Sequence, residues 1–175
     1  MAVESPSSSN FFELLGLPAR FDLDPSLIER AFFDRSKELH PDRFASAPAA
    51  ERVAALSRSR ALNDAYQTLK KPVGRAEYLL ERAGVTIGDN ERLDPAQIME
   101  VMEAREELAG ARRAKDTGKL EQLQAAMRTK RAAALDRLDA LFASNDMAAV
   151  KGVLISLRYI DRYLEECDAA LDEED

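Results

Sequence analysis

Cysteine and histidine are scarce in this sequence, and their shortage excludes several kinds of site. Cys167 is the one cysteine and His40 the one histidine among 175 residues, so no intrachain disulfide can form. Two such residues are too few for a metal site built from the usual nitrogen and sulfur ligands. Cys167 falls within a helical pattern, where a free cysteine is typically a small packing residue. We therefore expect neither a bound metal nor a cofactor.

Aromatic residues make up 6% of the chain, and tryptophan is absent. The abundance of Ala, Leu, Glu and Arg is typical of helices, so the sequence predicts an all-α protein. Long apolar runs are also missing, since none approaches the roughly 18 residues that a membrane span requires. Residues 1–10 contain one acid, no base and no apolar core, unlike a signal or transit peptide. These features favour a bacterial cytoplasm and no membrane contact.

The net charge is −7, so a nucleic-acid partner would need a concentrated basic face. No such face is evident, and we expect no nucleic-acid partner. The charge is uneven: residues 10–84 contain 12 basic and 11 acidic residues, whereas residues 85–175 contain 13 and 20. This asymmetry predicts two modules with different partners. We expect a disordered tail at 1–9, a first module at 10–84, a linker at 85–93 and a second module at 94–175.

The first module contains the start and stop signals of four helices. Cap residues and prolines mark their starts at Asn10, Asp24, Pro48 and Pro72. The predicted helices cover 11–15, 24–39, 48 to about 70, and 72 to just before 84. Their spacing predicts an inward-facing set of apolar residues. These residues are Leu27, Ile28, Ala31, Phe32, Leu39, Val53, Leu56, Leu62, Ala65, Tyr66, Leu69, Leu79 and Leu80.

The second module contains three long helical patterns, at about 95–114, 118–143 and 146–172. The short breaks between them favour an antiparallel three-helix bundle. Its first and last helices have more apolar surface than one inward stripe requires. Ile98, Met99 and Met102 lie to one side of the predicted core stripe, and Tyr159, with Ile155 near it, lies opposite Leu157. The periodicity alone leaves two explanations equally open: packing against the first module, or a binding patch for another protein.

His40-Pro41-Asp42 lies between the second and third predicted helices. Proline forces the residue before it out of the helical region, so the helix should end at or just before His40. An imidazole and a carboxylate at an exposed corner suggest acid–base catalysis, but no nucleophile motif or phosphate-binding glycine loop accompanies them. We therefore expect no enzyme. Two alternatives remain for the tripeptide: it simply ends the helix, or a partner protein recognises it.

This arrangement of a short helix, a long helix, His-Pro-Asp, a long helix and a short helix resembles a J-domain. Phe32, eight residues before His40, and the run at 62–69, LNDAYQTL, extend the similarity. The chain as a whole, over about residues 10–165, resembles the HscB family, the J-proteins of iron–sulfur cluster assembly. The similarity includes FFELLGLP at 11–18, HPDRF at 40–44, RAEYLL at 75–80, MEVMEAREEL at 99–108 and LRY at 157–159.

The resemblance implies a monomeric co-chaperone with two partners. One is an HscA- or DnaK-type ATP-dependent chaperone, contacted through His40, Pro41, Asp42, Arg30, Lys37 and Arg43. The other is an IscU-like iron–sulfur scaffold protein, contacted through Ile98, Met99, Met102, Glu103, Glu106 and Tyr159. Glu29, Phe33 and Asp34 depart from the pattern, since J-domains often have basic residues at those positions. The alternatives are a general J-protein for other clients and a helical oligomerisation protein.

Overall fold

The computed structural model describes residues 10–89 and 91–173, except for the side chain of Pro41. The tail predicted at 1–9 lies outside this description. Within the described residues every regular element is helical, which confirms the all-α prediction. The elements are α1 (Phe11–Leu15), α2 (Pro25–Glu38), a 3-10 turn (Pro41–Phe44), α3 (Ala49–Leu69), α4 (Pro72–Arg82), α5 (Pro95–Ala114), α6 (Thr117–Ala143) and α7 (Met147–Asp172).

The helix starts follow the capping chemistry of the sequence. A side-chain oxygen accepts a backbone N–H at the start of five helices, from the cap residues Asn10, Asp24, Asp94, Asp116 and Asp146. At the end of α1, Gly16 has a φ of 69°, which a residue with a Cβ rarely adopts. A Cβ there would also lie 2.9 Å from Arg35 Nη2. Gly16 therefore lets the chain turn sharply beneath the Arg35 side chain.

The chain divides into two compact units, with the boundary between Leu79 and Leu80. The first unit has a core of α1, α2 and α3 side chains, among them Phe12, Ile28, Leu62 and Leu69, each at most 2% exposed. Stacked rings join the helices: the Phe32 and Tyr66 centroids are 4.2 Å apart. The Phe11 backbone N–H donates to the Tyr78 hydroxyl at 3.0 Å. The corner between α2 and α3 therefore projects from a well-packed hairpin.

Arg75 is a buried charged residue in this unit, at 5% exposure. Its Nε donates to the Phe21 carbonyl and its Nη1 to the Leu69 carbonyl, each at 2.7 Å. The guanidinium lies 5.2 Å from the Phe21 ring centroid. Burial lowers the pKa of Arg75, and the charge of Asp22 opposes that shift. Arg75 therefore ties the segment before α2 to the end of α3.

The predicted inward positions of Val53 and Leu56 are wrong, because these side chains are 68% and 47% exposed. α3 has 21 residues and α2 has 14, so α3 is the longer arm of the hairpin. The first turns of α3 bury Ala55 instead, at 3% exposure. Leu27, in the first turn of α2, is also more exposed than predicted, at 38%.

The second unit begins at Leu80 and contains the predicted helical bundle, formed by α5, α6 and α7. Gln124 contacts Asp168 and Arg131 contacts Asp161, so α6 and α7 are antiparallel. Lys119 pairs with Glu107 and Lys130 with Glu100, which makes α5 and α6 antiparallel as well. The core includes Leu120, Leu138, Val150, Leu154, Leu157 and Cys167, each fully buried. α6 and α7 pack along their length, whereas α5 contacts them more sparsely.

Two ionisable groups are buried in this bundle. Burial raises the pKa of the Cys167 thiol to about 11, and it raises the pKa of the Tyr163 hydroxyl to about 12. The Tyr163 hydroxyl donates to the Ala104 carbonyl at 3.2 Å and so joins α7 to α5. None of the helices in the described part of the chain is long and apolar enough to cross a membrane.

Candidate functional site

The backbone at His40 turns sharply, as the following proline requires. α2 ends with Leu39 as its C-cap, and His40 has an extended conformation, with φ −60° and ψ 131°. The His40 ring then caps the 3-10 turn, because its Nδ1 accepts the Asp42 backbone N–H at 3.3 Å. In the neutral ring the proton therefore lies on Nε2. The His40 carbonyl accepts the Arg43 N–H at 3.0 Å. The imidazole thus helps to fix the shape of the corner.

The Asp42 carboxylate projects from this corner and is 91% exposed. Its Oδ2 lies 3.5 Å from His40 Nδ1, but these atoms form an ion pair only when the ring is protonated. Because both groups are exposed, such a pair would add little stability. Neither group is enclosed, since the two side chains are 59% and 91% exposed. The carboxylate is instead well placed to accept hydrogen bonds from a cationic partner.

The basic residues predicted around the corner are exposed. Arg30 and Lys37 lie on α2, and Arg43 lies in the 3-10 turn. The Arg43 guanidinium reaches back to α2, where Nη1 donates to the Lys37 carbonyl at 3.4 Å. The structure therefore joins Lys37, Arg43 and the corner into one surface. Pro41 occupies the first position of the 3-10 turn, and its side chain lies outside the described part of the structure.

The apolar residues predicted on α5 lie at the surface. Ile98 is 38% exposed, Met99 59% and Met102 62%, and the acids Glu103 and Glu106 beside them are also exposed. Large apolar side chains at adjacent exposed positions of one helix are typical of a protein-binding surface. We call Ile98, Met99 and Met102 the α5 patch.

Tyr159 does not lie on the outer face of the bundle, as its helical position had suggested. It is half-buried, and its neighbour Ile155 is buried at 8% exposure. The reason is that α7 is covered on two sides, by α6 and by α5. A single inward stripe through Val150, Val153 and Leu157 accounts for one covered side of α7 and not for the second.

Tyr159 instead lines a small cavity of about 120 Å³ between the three helices of the bundle. The cavity wall contains Leu93, Gln97, Glu100, Val101, Ala104, Met127, Lys130, Ser156, Tyr159, Ile160 and Tyr163. Gln97 Nε2 donates to the Ser156 hydroxyl at 3.1 Å, and Lys130 lies 3.8 Å from Glu100. From α5 the wall takes Gln97, Glu100, Val101 and Ala104, so Tyr159 faces the side of α5 that is turned into the bundle, and the cavity wall does not contain Met99 or Met102. Sequence reasoning missed Lys130 and Gln97, which no motif distinguishes.

Comparison with known sequence families gives two matches. A profile described as the DnaJ domain matches residues 10–78, and a profile described as the HSCB C-terminal oligomerisation domain matches residues 93–168. The first match covers the hairpin and its His-Pro-Asp corner, and the second covers α5, α6 and most of α7. The molecule is thus a J-domain protein with an additional C-terminal helical domain.

Individual relatives define the family. The co-chaperone protein HscB homolog of Azoarcus sp. (strain BH72) is 37% identical over 166 residues, covering 93% of this chain and 94% of its own. The homolog from Vibrio vulnificus (strain YJ016) is 48% identical over 101 residues, covering 57% and 59%. The chaperone HscB structure from Vibrio cholerae has a TM-score of 0.83 at 36% identity, covering 94% of this chain and 98% of its own. This chain belongs to the HscB family of co-chaperones.

A more distant structure shares the fold. The human co-chaperone protein HscB superposes with a TM-score of 0.86 at 24% identity, covering 97% of this chain and 85% of its own. The similarity in fold thus extends well beyond the similarity in sequence.

Proposed function

We propose that this protein is an adaptor that delivers an IscU-like iron–sulfur scaffold protein to an HscA- or DnaK-type chaperone. The corner at His40 stimulates the ATPase of the chaperone, and the C-terminal bundle binds the scaffold. The adaptor works as a monomer in the bacterial cytoplasm and has no catalytic activity of its own. The observation that carries this proposal is that one HscB-family chain has exposed His40 and Asp42 side chains at the corner and an exposed apolar patch on a separate unit.

The chemistry of the corner supports the chaperone contact. Asp42 offers a carboxylate that is 91% exposed, at the end of a helix with exposed cations. A carboxylate of this kind pairs well with an arginine, since the guanidinium can donate two parallel hydrogen bonds. His40 caps the turn and Pro41 fixes its backbone, so the carboxylate is presented without a large loss of entropy on binding.

The chemistry of the bundle supports the scaffold contact. Met99 and Met102 are flexible and polarisable, and such residues adapt to an irregular protein surface. Tyr159 supplies an aromatic ring beside α5 and is held in place by its half-buried position. Glu103 and Glu106 form an acidic border, which favours a partner with basic residues around an apolar centre.

ATP hydrolysis by a purified HscA-type chaperone tests the proposal. The rate should rise when this protein is added, and it should rise further, beyond the sum of separate effects, when an IscU-like scaffold is also present. A rate that is independent of this protein would contradict the proposed contact between the His40 corner and the chaperone. A rate that responds to this protein but not to the scaffold would contradict the proposed delivery of the scaffold and would favour a general J-protein.

A second candidate function is supported by the description of the matching C-terminal family, which includes oligomerisation. In that case the α5 patch would join two copies of this chain instead of binding the scaffold. Light scattering at micromolar concentration separates the two candidates. A monomer that forms a one-to-one complex with the scaffold supports the adaptor. A stable dimer that the Met102→Ala substitution dissociates supports the oligomer.

A further inference from the structure

An aromatic side chain interrupts the basic face of α2. Arg30, Phe33 and Lys37 follow one another at spacings of three and four residues, so they form a single stripe along the helix. All three are exposed, and the Phe33 side chain is 59% exposed. An isolated exposed apolar residue is common on protein surfaces and needs no explanation. Phe33 differs because it lies between two cations.

The Phe33 ring also makes a specific contact with one of these cations. The Lys37 Nζ atom lies 4.1 Å from the ring centroid, within the range of a cation–π interaction. The ring therefore restricts the position of the ammonium group, which would otherwise move freely at the end of a long side chain. Phe33 and Lys37 thus present an apolar surface and a positioned charge together.

The stripe is continuous with the His40 corner. Lys37 lies in the last turn of α2, and its carbonyl accepts the hydrogen bond from Arg43 Nη1. Arg43 in turn belongs to the 3-10 turn that contains Asp42. A partner that contacts the corner and the Lys37 ammonium would therefore also meet the Phe33 ring.

We propose that Phe33 is a binding contact for the ATP-dependent chaperone and determines which chaperone surface fits. This inference rests on the proposed function, since it assumes that the corner binds such a chaperone. The matching surface has an apolar recess bordered by carboxylates, because it must cover the ring and pair with Arg30 and Lys37. A chaperone that presents charge without the recess would leave the ring exposed and would bind less tightly.

Salt distinguishes the ring from the cations. The contribution of an exposed cation decreases as ionic strength rises, whereas burial of an aromatic ring is nearly independent of moderate salt. Chaperone ATPase stimulation, titrated at about 0.05 M and about 0.3 M salt, gives the half-maximal concentration of this protein under both conditions. Phe33→Ala should raise that concentration about tenfold at both salt levels. Lys37→Ala should raise it at low salt, with a smaller ratio at high salt.

Two further variants serve as controls. Phe33→Leu keeps an apolar side chain and should recover part of the lost affinity. Val53→Ala removes a side chain of the same unit that is 68% exposed, so it tests whether any exposed apolar residue has the same effect. Unfolding temperatures should match the wild type for Phe33→Ala and Val53→Ala, because both side chains are largely exposed.

The outcomes separate this inference from the proposed function. If the wild type stimulates the ATPase and Phe33→Ala has an unchanged half-maximal concentration, the role of Phe33 is wrong while the proposed function stands. The role is also wrong if the effect of Phe33→Ala disappears at high salt, as it would for a residue that acts solely through Lys37. If the wild type does not stimulate the chaperone, the proposed function fails and the inference fails with it.

Discussion

The two candidate docking sites are built differently. The His40 corner is a short polar turn whose backbone is fixed by a capping ring and by the hairpin on which it stands. The α5 patch consists of flexible apolar side chains on the most sparsely packed helix of the bundle. The corner depends on a few groups in a set geometry, so one substitution should abolish its action. The patch spreads its contacts over several side chains, so single substitutions should weaken binding by degrees.

The sharpest test of this difference is the His40→Gln substitution. The ring accepts the Asp42 N–H through Nδ1, so its removal takes away the cap of the turn and changes how the carboxylate is presented. We expect stimulation of the chaperone ATPase to fall to background. Scaffold affinity should be unchanged, because the patch lies on the other unit. Chaperone ATPase assays and calorimetric titration with the scaffold measure the two quantities.

The Asp42→Asn substitution is a matched control for the corner, because it removes the charge and keeps the size of the side chain. It should also abolish stimulation. Asp42→Asn should unfold at the wild-type temperature, since the Asp42 side chain is 91% exposed, whereas His40→Gln should unfold slightly below it, because the variant loses the ring that caps the turn. Partial stimulation by both variants would mean that several groups of the corner share the contact with the chaperone, as the side chains of the α5 patch are expected to share theirs.

The combined substitution Met102→Ala with Tyr159→Ala tests the α5 patch together with Tyr159, the aromatic residue proposed to bind the same partner. Each side chain is a candidate anchor for an apolar partner surface, so the scaffold affinity should fall about 100-fold, roughly tenfold for each residue. Basal stimulation of the chaperone should be unchanged, and the further stimulation by the scaffold should disappear. Calorimetric titration measures the affinity.

Two controls show whether the effect belongs to this surface. Tyr159→Phe keeps the aromatic ring that lines the cavity and should retain most of the affinity. Val53→Ala with Leu56→Ala removes comparable exposed apolar surface from the first unit and should leave scaffold binding intact. Loss of all scaffold binding by Met102→Ala alone would show that the patch acts through one residue.

The sequence predicted the helices well because local signals mark their ends. Caps such as Asp24 and Asp94, each followed by proline, appear in the structure where they were expected. The corner was predictable for the same reason, since Pro41 dictates the backbone of His40. Periodicity placed Ile98, Met99 and Met102 outside the core stripe of α5 but left open whether the first module covers them. In the structure these side chains are exposed.

Periodicity failed where the number of neighbouring helices mattered. Val53 and Leu56 continue an apolar stripe that is buried later in α3, so the pattern cannot show that these turns are uncovered. For Tyr159 the error is the reverse, since the pattern predicts exposure and the side chain is half-buried. A third helix covers the side of α7 that a single apolar stripe leaves open. Arg75 gave no periodic signal at all, since its role depends on carbonyls 6 and 54 residues away.

Arg75→Met separates the stability of the two units. The substitution replaces a buried cation with an apolar side chain. The Phe21 and Leu69 carbonyls then lose the two hydrogen bonds that they accept from Arg75. We expect the first unit to lose about 2 kcal/mol of stability. Urea unfolding followed by amide hydrogen exchange measures this loss unit by unit, and α6 and α7 should keep their wild-type protection.

Arg75→Lys, which keeps a charge and can reach fewer carbonyls, should be intermediate. Equal loss of protection in α7 would show that the two units unfold together.

Alkaline pH should destabilise the bundle through two buried groups, the Cys167 thiol and the Tyr163 hydroxyl. In the folded protein the pKa of Cys167 rises from 9.0 to about 11, and that of Tyr163 rises from 10.0 to about 12. For each group, the unfolded chain releases its proton at a lower pH than the folded chain does. The stability of the bundle therefore decreases as pH rises from about 9 towards 12. Below that window the contribution is constant. Urea midpoints measured by circular dichroism at increasing pH should fall more steeply for the wild type than for Cys167→Ala. The decline that remains in Cys167→Ala includes the ionisation of Tyr163 and the loss of the lysine ion pairs. Parallel curves for the two proteins would mean that Cys167 ionises at the same pH in both states, contrary to its buried position beside Tyr163.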